Sequence, residues 1–266
     1  MENKKIAVLG AGNLGTSIVE GIIEAKLYKP EDITVTNIDI SRIEYLKEFG
    51  VNITQDNIKA VETSDIVFIC VKPATTQGIL EEIKESLNAR KHLLVSVVTG
   101  FKLEQIEEII PKIPVVRAMP NTAISVRQSM TAICYNNVNP EQAEGIVNIF
   151  NQLGETFIIP ESFMPSATVL ASCGIAFALR FMRAVSQGGI EIGFGSELSH
   201  KVAAQIMKGA SELIIKSGHH PEREIDKVTT PMGITISGLN EMEHKGFSSS
   251  LIKGVNEAHK KIKQAE

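Results

Sequence analysis

Along the first 160 residues, short apolar runs alternate with stretches whose apolar positions recur every three or four residues. The runs read as strands over 4–10, 33–37, 51–54, 65–71, 92–98 and 114–119. The periodic stretches between them read as helices over 13–26, 41–50, 56–61, 75–87 and 103–110. The first helix carries Leu14, Ile18, Ile22 and Ala25 on one face, and Ser41 stands where a cap for the second is expected. Ile66 to Val71 is apolar without interruption, as a parallel strand buried on both faces requires. Two more strands, over 130–135 and 155–159, flank a helix that starts at Pro140 behind the cap Asn139. Strands alternating with helices predict an α/β domain with a mainly parallel sheet covered on both sides. From about Ser162 the strand signals stop, and helices are expected over 162–187, 196–216, 221–227, 235–245 and 248–263. The junction is therefore expected near Pro160, with an α/β domain over 1–160 and an all-α domain over 161–266.

The first strand runs into Leu9-Gly10-Ala11-Gly12-Asn13-Leu14-Gly15 and continues at helical spacing. Gly10 permits a tight turn off the strand, Gly12 lets backbone approach a pyrophosphate, and Gly15 lets the helix pack closely on the sheet. The start of that helix offers unpaired N–H groups and the positive end of its dipole. This is the Rossmann arrangement for a dinucleotide, with contacts expected from Leu9 through Gly15. Further along, an acidic residue accepts the ribose hydroxyls of NAD, whereas an arginine accepts the extra phosphate of NADP. Asn37-Ile38-Asp39 ends the second strand and Arg42 follows. Asp39 points to NAD, Asn37 and Arg42 point to NADP, and the two stay equally open.

Composition narrows the partners. A chain of 266 residues with 43% hydrophobic content suits one large or two modest cores. A net charge of −4 offers no basic surface for nucleic acid. Cys70, Cys134 and Cys173 are odd in number, widely spaced and set in apolar runs, which fits buried thiols in the reducing cytoplasm. Met1 to Lys5 precede too short an apolar run for a signal peptide. Ser162 to Leu179 carries no charge over a membrane-spanning length, yet Pro165, Ser166, Thr168, Ser172, Cys173 and Gly174 dilute it. Arg180 and Arg183 follow on the same helix, so no membrane partner is expected. His219-His220 lacks a third ligand at a metal-site spacing, so no metal is expected, and the lysines from Lys253 to Lys263 form the wet face of the last helix.

Ala167, Ala171, Gly174 and Ala178 recur at spacings of four, three and four, leaving a helix face without bulk. Such a face suits close approach by a second subunit or by another helix of the same chain; a dimer built on the helical half is the favoured reading. Ligands of open parallel sheets bind beyond the carboxyl ends of the strands, where the chemistry is expected to meet the helical half. Three stretches reach that place. Val71-Lys72-Pro73 makes a rigid turn beside the nicotinamide half of the cofactor. Arg117-Ala118-Met119-Pro120-Asn121-Thr122 brings a carboxamide and a hydroxyl to the mouth. Asp226-Lys227-Val228-Thr229-Thr230-Pro231-Met232-Gly233-Ile234-Thr235 is a hydroxyl-rich loop leading into a helix, whose free N–H groups would hold a small carboxylate.

The ordered set GAGNLG, VKP, RAMPNT, ASCGIAFA and DKVTTPMGIT followed by GFSSSLI resembles pyrroline-5-carboxylate reductase, and the likeness covers nearly the whole chain. It implies a Rossmann domain followed by an all-α dimerisation domain, with a homodimer or a ring of dimers as the assembly. It also implies cofactor contacts at Asn37, Asn57, Val71, Lys72, Pro73, Ser96, Val97 and Val98, and a substrate carboxylate held by the loop before the Thr235 helix. The chain departs from the family pattern at three places. It has PNTA for PNTP, ASCGIAF for SGSGPAY and PMGIT for PGGTT, which bears on the preferred ring size of the substrate.

The expected reaction is hydride transfer from NADPH or NADH to the C=N carbon of 1-pyrroline-5-carboxylate, giving L-proline in proline biosynthesis. The cofactor carries the hard chemistry and the protein supplies position. A cyclic imine takes a proton from water, so no strong acid is required. Thr235 is the expected catalytic contact to the imine nitrogen. Thr230 and the N–H groups of Gly233 and Ile234 are expected at the carboxylate, with Asn121 beside them. A plain helix cap is the alternative role for Thr235. Two rival functions are a β-hydroxyacid dehydrogenase, disfavoured because no lysine lies between Glu161 and Gln187, and a non-enzymatic NAD(P)-sensing protein.

Overall fold

The alternation of β-branched and other apolar residues builds one eight-stranded sheet, seen in a computed structural model that describes residues 4–264. Met1 to Asn3, on which part of the leader reading falls, lie outside the described residues. The strands are β1 (Ile6–Leu9), β2 (Ile33–Thr36), β3 (Asn52–Thr54), β4 (Ile66–Ile69), β5 (Leu93–Ser96), β6 (Val115–Met119), β7 (Ser129–Asn136) and β8 (Gly154–Ile158). Their spatial order is β3-β2-β1-β4-β5-β6-β7-β8. Every pairing is parallel except β6 with β7, which is antiparallel. The chain reverses there because β6 and β7 are joined by one short 3₁₀ turn, Thr122–Val126, instead of a crossover helix. The order switches direction between β1 and β4, the place where such sheets open a crevice.

Successive residues of each strand point to opposite faces, and both faces are covered. Ile6, Val8, Val35, Phe68 and Val95 pack with Ile18, Val19 and Ile22 of α1 (Asn13–Glu24) and Ile146 and Phe150 of α5 (Pro140–Gln152). Phe68 meets Phe150 edge-on at 6.3 Å. Ala7, Leu9, Val67, Ile69 and Leu94 pack with Val61 of α2 (Asn57–Glu62), Leu80 of α3 (Pro73–Ile83) and Ile106 of α4 (Leu103–Ile109). Asn139 caps α5 in a reciprocal box with Gln142.

One expected helix is absent. Residues 41–50 form two 3₁₀ turns, Ile40–Arg42 and Glu44–Phe49, and Ser41 is not a cap. Asp39 caps the first turn by accepting from Ser41, and Ile43 at φ −118° and ψ 3° interrupts the helical path.

After β8 the chain winds through a 3₁₀ turn and α6 (Met164–Ala167), a π-helical turn over Thr168–Cys173, and α7 (Gly174–Glu191). The remaining helices are α8 (Ser196–Ser217), α9 (Pro221–Asp226), α10 (Ile234–His244) and α11 (Phe247–Lys263). The stretch Glu161–Glu191 is long and apolar enough to cross a membrane by length and composition, yet Met164 and Ala167 are packed into the second face of the sheet.

Two compact units result. The first runs to Ile175 and takes back the chain from His259, and the second is Ala176–Ala258. The expected junction at Pro160 lies earlier because α6 and the π turn pack on the sheet unit, and Ser166 Oγ sits 3.2 Å from His259 Nε2. Within the second unit α7 and α8 cross closely. A Cβ on Gly189 would stand 2.8 Å from Ser199 Oγ.

Candidate active site

In the sheet unit, the expected cofactor residues sit at or just beyond the carboxyl ends of five adjacent parallel strands, β3, β2, β1, β4 and β5, with Asn57 the first residue of the helix after β3. Gly10 leaves β1 at φ +84°, and its N–H donates to Thr36 O at 3.1 Å, as does that of Ala11 at 3.0 Å. Gly15 is pressed against Cys70, with 3.1 Å from its missing Cβ to Cys70 Cβ. Gly12 differs from both, since a Cβ there would meet nothing within 4 Å. Gly12 is also the N-cap of α1 without a side-chain cap, and the first turn of α1 holds no acidic residue. The leading N–H groups of Asn13, Leu14 and Gly15 therefore face an open cradle, which fits a pyrophosphate.

Around the cradle the loops are tied together. Asn37 Nδ2 donates to Ala11 O at 2.7 Å and its Oδ1 accepts the Asp39 N–H at 2.9 Å. Thr36 Oγ1 donates to Asn57 Oδ1 at 2.6 Å, and Asn57 Nδ2 donates to Glu82 Oε2 at 3.0 Å. Thr36 was not singled out by sequence reasoning; the signal was a hydroxyl ending an otherwise apolar strand. The Asp39 carboxyl is held below the usual range, chiefly by the Ser41 hydroxyl and also by the Ser41 N–H and Arg42.

After β4, Lys72 is the N-cap of α3 and Pro73 its first residue. Lys72 contributes backbone, because its carbonyl accepts from Thr75 N and from the hydroxyls of Thr75 and Thr76, while its side chain is exposed. Ser96, Val97 and Val98 are buried, with Val97 N–H donating to Ile69 O at 3.1 Å. Burial pushes the Cys70 thiol up, and it raises that of Cys134 to about 11, so both stay protonated.

Asn121 is only 5% exposed and its carboxamide is engaged at both ends. Oδ1 accepts the Ala123 N–H at 2.9 Å, and Nδ2 donates to Ala171 O at 3.0 Å in the π turn. Ser172 Oγ donates to Pro120 O at 2.7 Å beside it. A π turn frees carbonyls that an α-helix would use, and Asn121 takes one of them. Deeper in the sheet, Arg117, 2% exposed, pairs through Nη1 with Glu161, which also accepts the Leu103 N–H.

The helical unit holds the second group. Gly233, not Thr235, is the N-cap of α10, so the plain-cap role falls away and Thr235 is the second helical residue. Gly233 is wedged against Thr230. A Cβ there would stand 2.6 Å from Thr230 Oγ1 and 2.9 Å from its carbonyl. The leading N–H groups of Ile234, Thr235 and Ile236 are left without helical partners. Thr230 and Thr235 are exposed, and among the described residues neither hydroxyl is hydrogen-bonded within the chain. Met232 takes the left-handed region at φ +58° and projects wholly into solvent. Nearby, His219 Nδ1 lies 2.7 Å from Glu224 Oε1, and His220 accepts the Glu222 N–H, so both imidazoles have local partners. Among the described residues no cluster of three or more His, Cys, Asp or Glu is arranged to hold a metal ion.

Comparison with known proteins converges on one family. Residues 161–265 match the family model for pyrroline-5-carboxylate reductase dimerisation, and residues 5–100 match that for NADP oxidoreductase, coenzyme F420-dependent. Pyrroline-5-carboxylate reductase 1 of Dictyostelium discoideum is 44% identical over 94% of this chain, which spans 48% of that protein's length. Pyrroline-5-carboxylate reductase 2 of the same organism is 43% identical over 95% of this chain and 90% of its own. The crystal structure of Plasmodium falciparum pyrroline carboxylate reductase with NADP bound superposes with a TM-score of 0.91 at 29% identity, covering 100% of this chain and 99% of that one.

Proposed function

The chain belongs to the pyrroline-5-carboxylate reductase family, and from that premise we propose that it reduces the C=N bond of 1-pyrroline-5-carboxylate to give L-proline. The observation that carries the reading is the start of α10, where two free threonine hydroxyls and unpaired N–H groups surround a glycine too confined to hold a Cβ. That arrangement is sized for a small carboxylate.

The sheet unit binds the coenzyme through the cradle at Gly12 and the ends of β3, β2, β1, β4 and β5. Bound there, a reduced nicotinamide supplies the hydride. Thr230 Oγ1 and the leading N–H groups of Ile234 and Thr235 hold the substrate carboxylate; the Gly233 N–H, expected among them, is already donated to Thr230 O at 2.9 Å and serves to shape the loop. The protonated ring nitrogen donates to Thr235 Oγ1, which fixes the imine carbon in place and keeps the positive charge on the ring until hydride arrives. Asn121 acts at one remove, as a positioning residue that fixes the π turn. Water supplies the proton that makes the iminium, so no histidine is needed.

Thr235→Val tests the assignment against Thr235→Ser. Losing a hydrogen bond to a charged group is expected to cost about 1.5–3 kcal/mol, or about 10- to 100-fold in kcat/KM, and serine restores most of it. Wild-type protein that oxidises neither NADH nor NADPH with racemic pyrroline-5-carboxylate would overturn the function. An unchanged Thr235→Val enzyme would overturn the residue's role.

We also propose a homodimer, with a ring of dimers as its further assembly, in the cytoplasm where the three cysteines stay free. Among the described residues of the helical unit only Ser186, Ser199 and Ala203 are fully buried, while Leu179, Ile206, Leu213, Leu251 and Ile252 stand exposed. A unit with so little core of its own completes it against a second copy. A mass of 29.0 kDa in solution, that of one chain, would overturn this.

A further inference from the structure

The loop after β2 decides which coenzyme the cradle accepts, an inference that rests on the dinucleotide site proposed above. Asn37 ties this loop to the glycine turn through Ala11 O, so the residues that follow stand where the adenosine ribose of a bound dinucleotide belongs. Asn37 has spent its carboxamide on that tie and on the Asp39 N–H. Ile38 comes next, 91% exposed, and its carbonyl is pinned by Gln55 Nε2 at 2.6 Å. An apolar side chain there can grip neither a hydroxyl nor a phosphate.

The next side chain is Asp39. Its Oδ1 accepts the Ser41 N–H at 3.2 Å and the Ser41 hydroxyl at 2.6 Å. Its Oδ2 faces Arg42 Nε at 3.5 Å. Ser41 and Arg42 are the groups of this loop suited to a phosphate, and both are directed to Asp39 instead. Oδ2 keeps lone pairs free to accept a hydroxyl. A carboxylate so placed welcomes a ribose diol and repels a phosphate dianion.

We infer that Asp39 makes this chain an NAD(H)-preferring member of its family, its Oδ2 accepting the ribose 2′-hydroxyl and its charge disfavouring a 2′-phosphate. Arg42 offsets part of that charge, and the loop is open to solvent, so the discrimination is about tenfold in Kd.

The test is direct binding, independent of turnover. The chain has no tryptophan, so binding of NAD⁺ and NADP⁺ is followed by calorimetry, and of the reduced forms by nicotinamide fluorescence. Wild type is expected to bind NAD⁺ about tenfold more tightly than NADP⁺. Asp39→Asn keeps an oxygen for Ser41 while removing the charge, and is expected to bring the ratio to about one or below. A second probe needs no variant: 5′-AMP displaces NADH at a lower concentration than 2′,5′-ADP does. Equal or tighter binding of NADP⁺ by wild type, or an unchanged ratio in folded Asp39→Asn, overturns the inference alone. Binding of neither coenzyme overturns the dinucleotide site and this inference with it.

Discussion

The point where a Cβ on Gly10 would stand lies 2.2 Å from Cγ1 of Val71. The turn off β1 is thus closed against the turn off β4, across the crevice where the strand order reverses. Gly10 also sits at φ +84°, where an L-residue pays about 1–2 kcal/mol. Gly10→Ala is therefore expected to lose stability, with a melting temperature lower by about 2–8 °C for a chain of this size, and coenzyme affinity with it. Gly12→Ala separates the two effects. Nothing stands within 4 Å of its new methyl, so it melts with wild type, yet the methyl fills the cradle and weakens both coenzymes more than about tenfold. Calorimetry and thermal melts of the pair decide the matter, and normal binding by Gly12→Ala would remove the cradle from the site.

Much of this was legible in the residues, and the failures have physical causes. Buried strands such as Ile66–Ile69 announce themselves by apolar runs, and Asn139-Pro140 announces the start of α5 by its capping chemistry. The segment after β2 misled, because Ile40, Ile43 and Leu46 keep a helical spacing while Asp39 captures Ser41 and favours 3₁₀ turns. Asn121 has a donor and an acceptor at the strand mouth, which is how a ligand contact looks in sequence. Its engagement with Ala171 depends on a π turn that no periodicity marks. Thr235 shows the same limit from the other side, since threonine before a helix reads as a cap until Gly233 is seen to occupy that position.

Gly233 separates fold from substrate in the helical unit. A methyl there would press on Thr230 Oγ1 and carbonyl, in a loop that is exposed and local. Gly233→Ala is expected to raise KM for the imine acid by about tenfold or more, as one misplaced contact does, while Kd for the coenzyme stays put. A substrate KM matching wild type would show that the start of α10 does not touch the carboxylate.

Arg117 and Glu161 form a pair in which one partner is buried in the sheet. Glu161→Gln leaves the guanidinium without its counter-charge and weakens the acceptor for Leu103 N–H. Breaking such a pair costs about 3–5 kcal/mol, whereas replacing both members by apolar residues is often neutral. Urea denaturation is expected to show a large loss for Glu161→Gln and substantial recovery in Arg117→Met with Glu161→Leu. Equal stability of Glu161→Gln and wild type would mean the pair is solvated in solution.

His92 gives the fold a pH dependence of known sign. It is 2% exposed at the start of β5 and its Nδ1 accepts the Asn88 N–H at 2.8 Å. Burial holds its basicity below the ordinary value of 6.5, with Lys91 adding to the effect. The unfolded chain takes up a proton as pH falls through 6.5, and the folded chain resists it. Unfolding is then favoured by proton uptake, so the His92 contribution is complete above 6.5 and is lost as pH falls below it. The slope from one such group approaches about 1.4 kcal/mol per pH unit. Urea midpoints of wild type and His92→Gln at pH 8, 6.5 and 5.5 isolate it, because the other five histidines are common to both. Wild type is expected to lose stability relative to His92→Gln as pH falls, whatever the sign and size of the difference at pH 8. A difference that stays constant across that range would mean His92 takes its proton equally in both states and is not held neutral by the sheet.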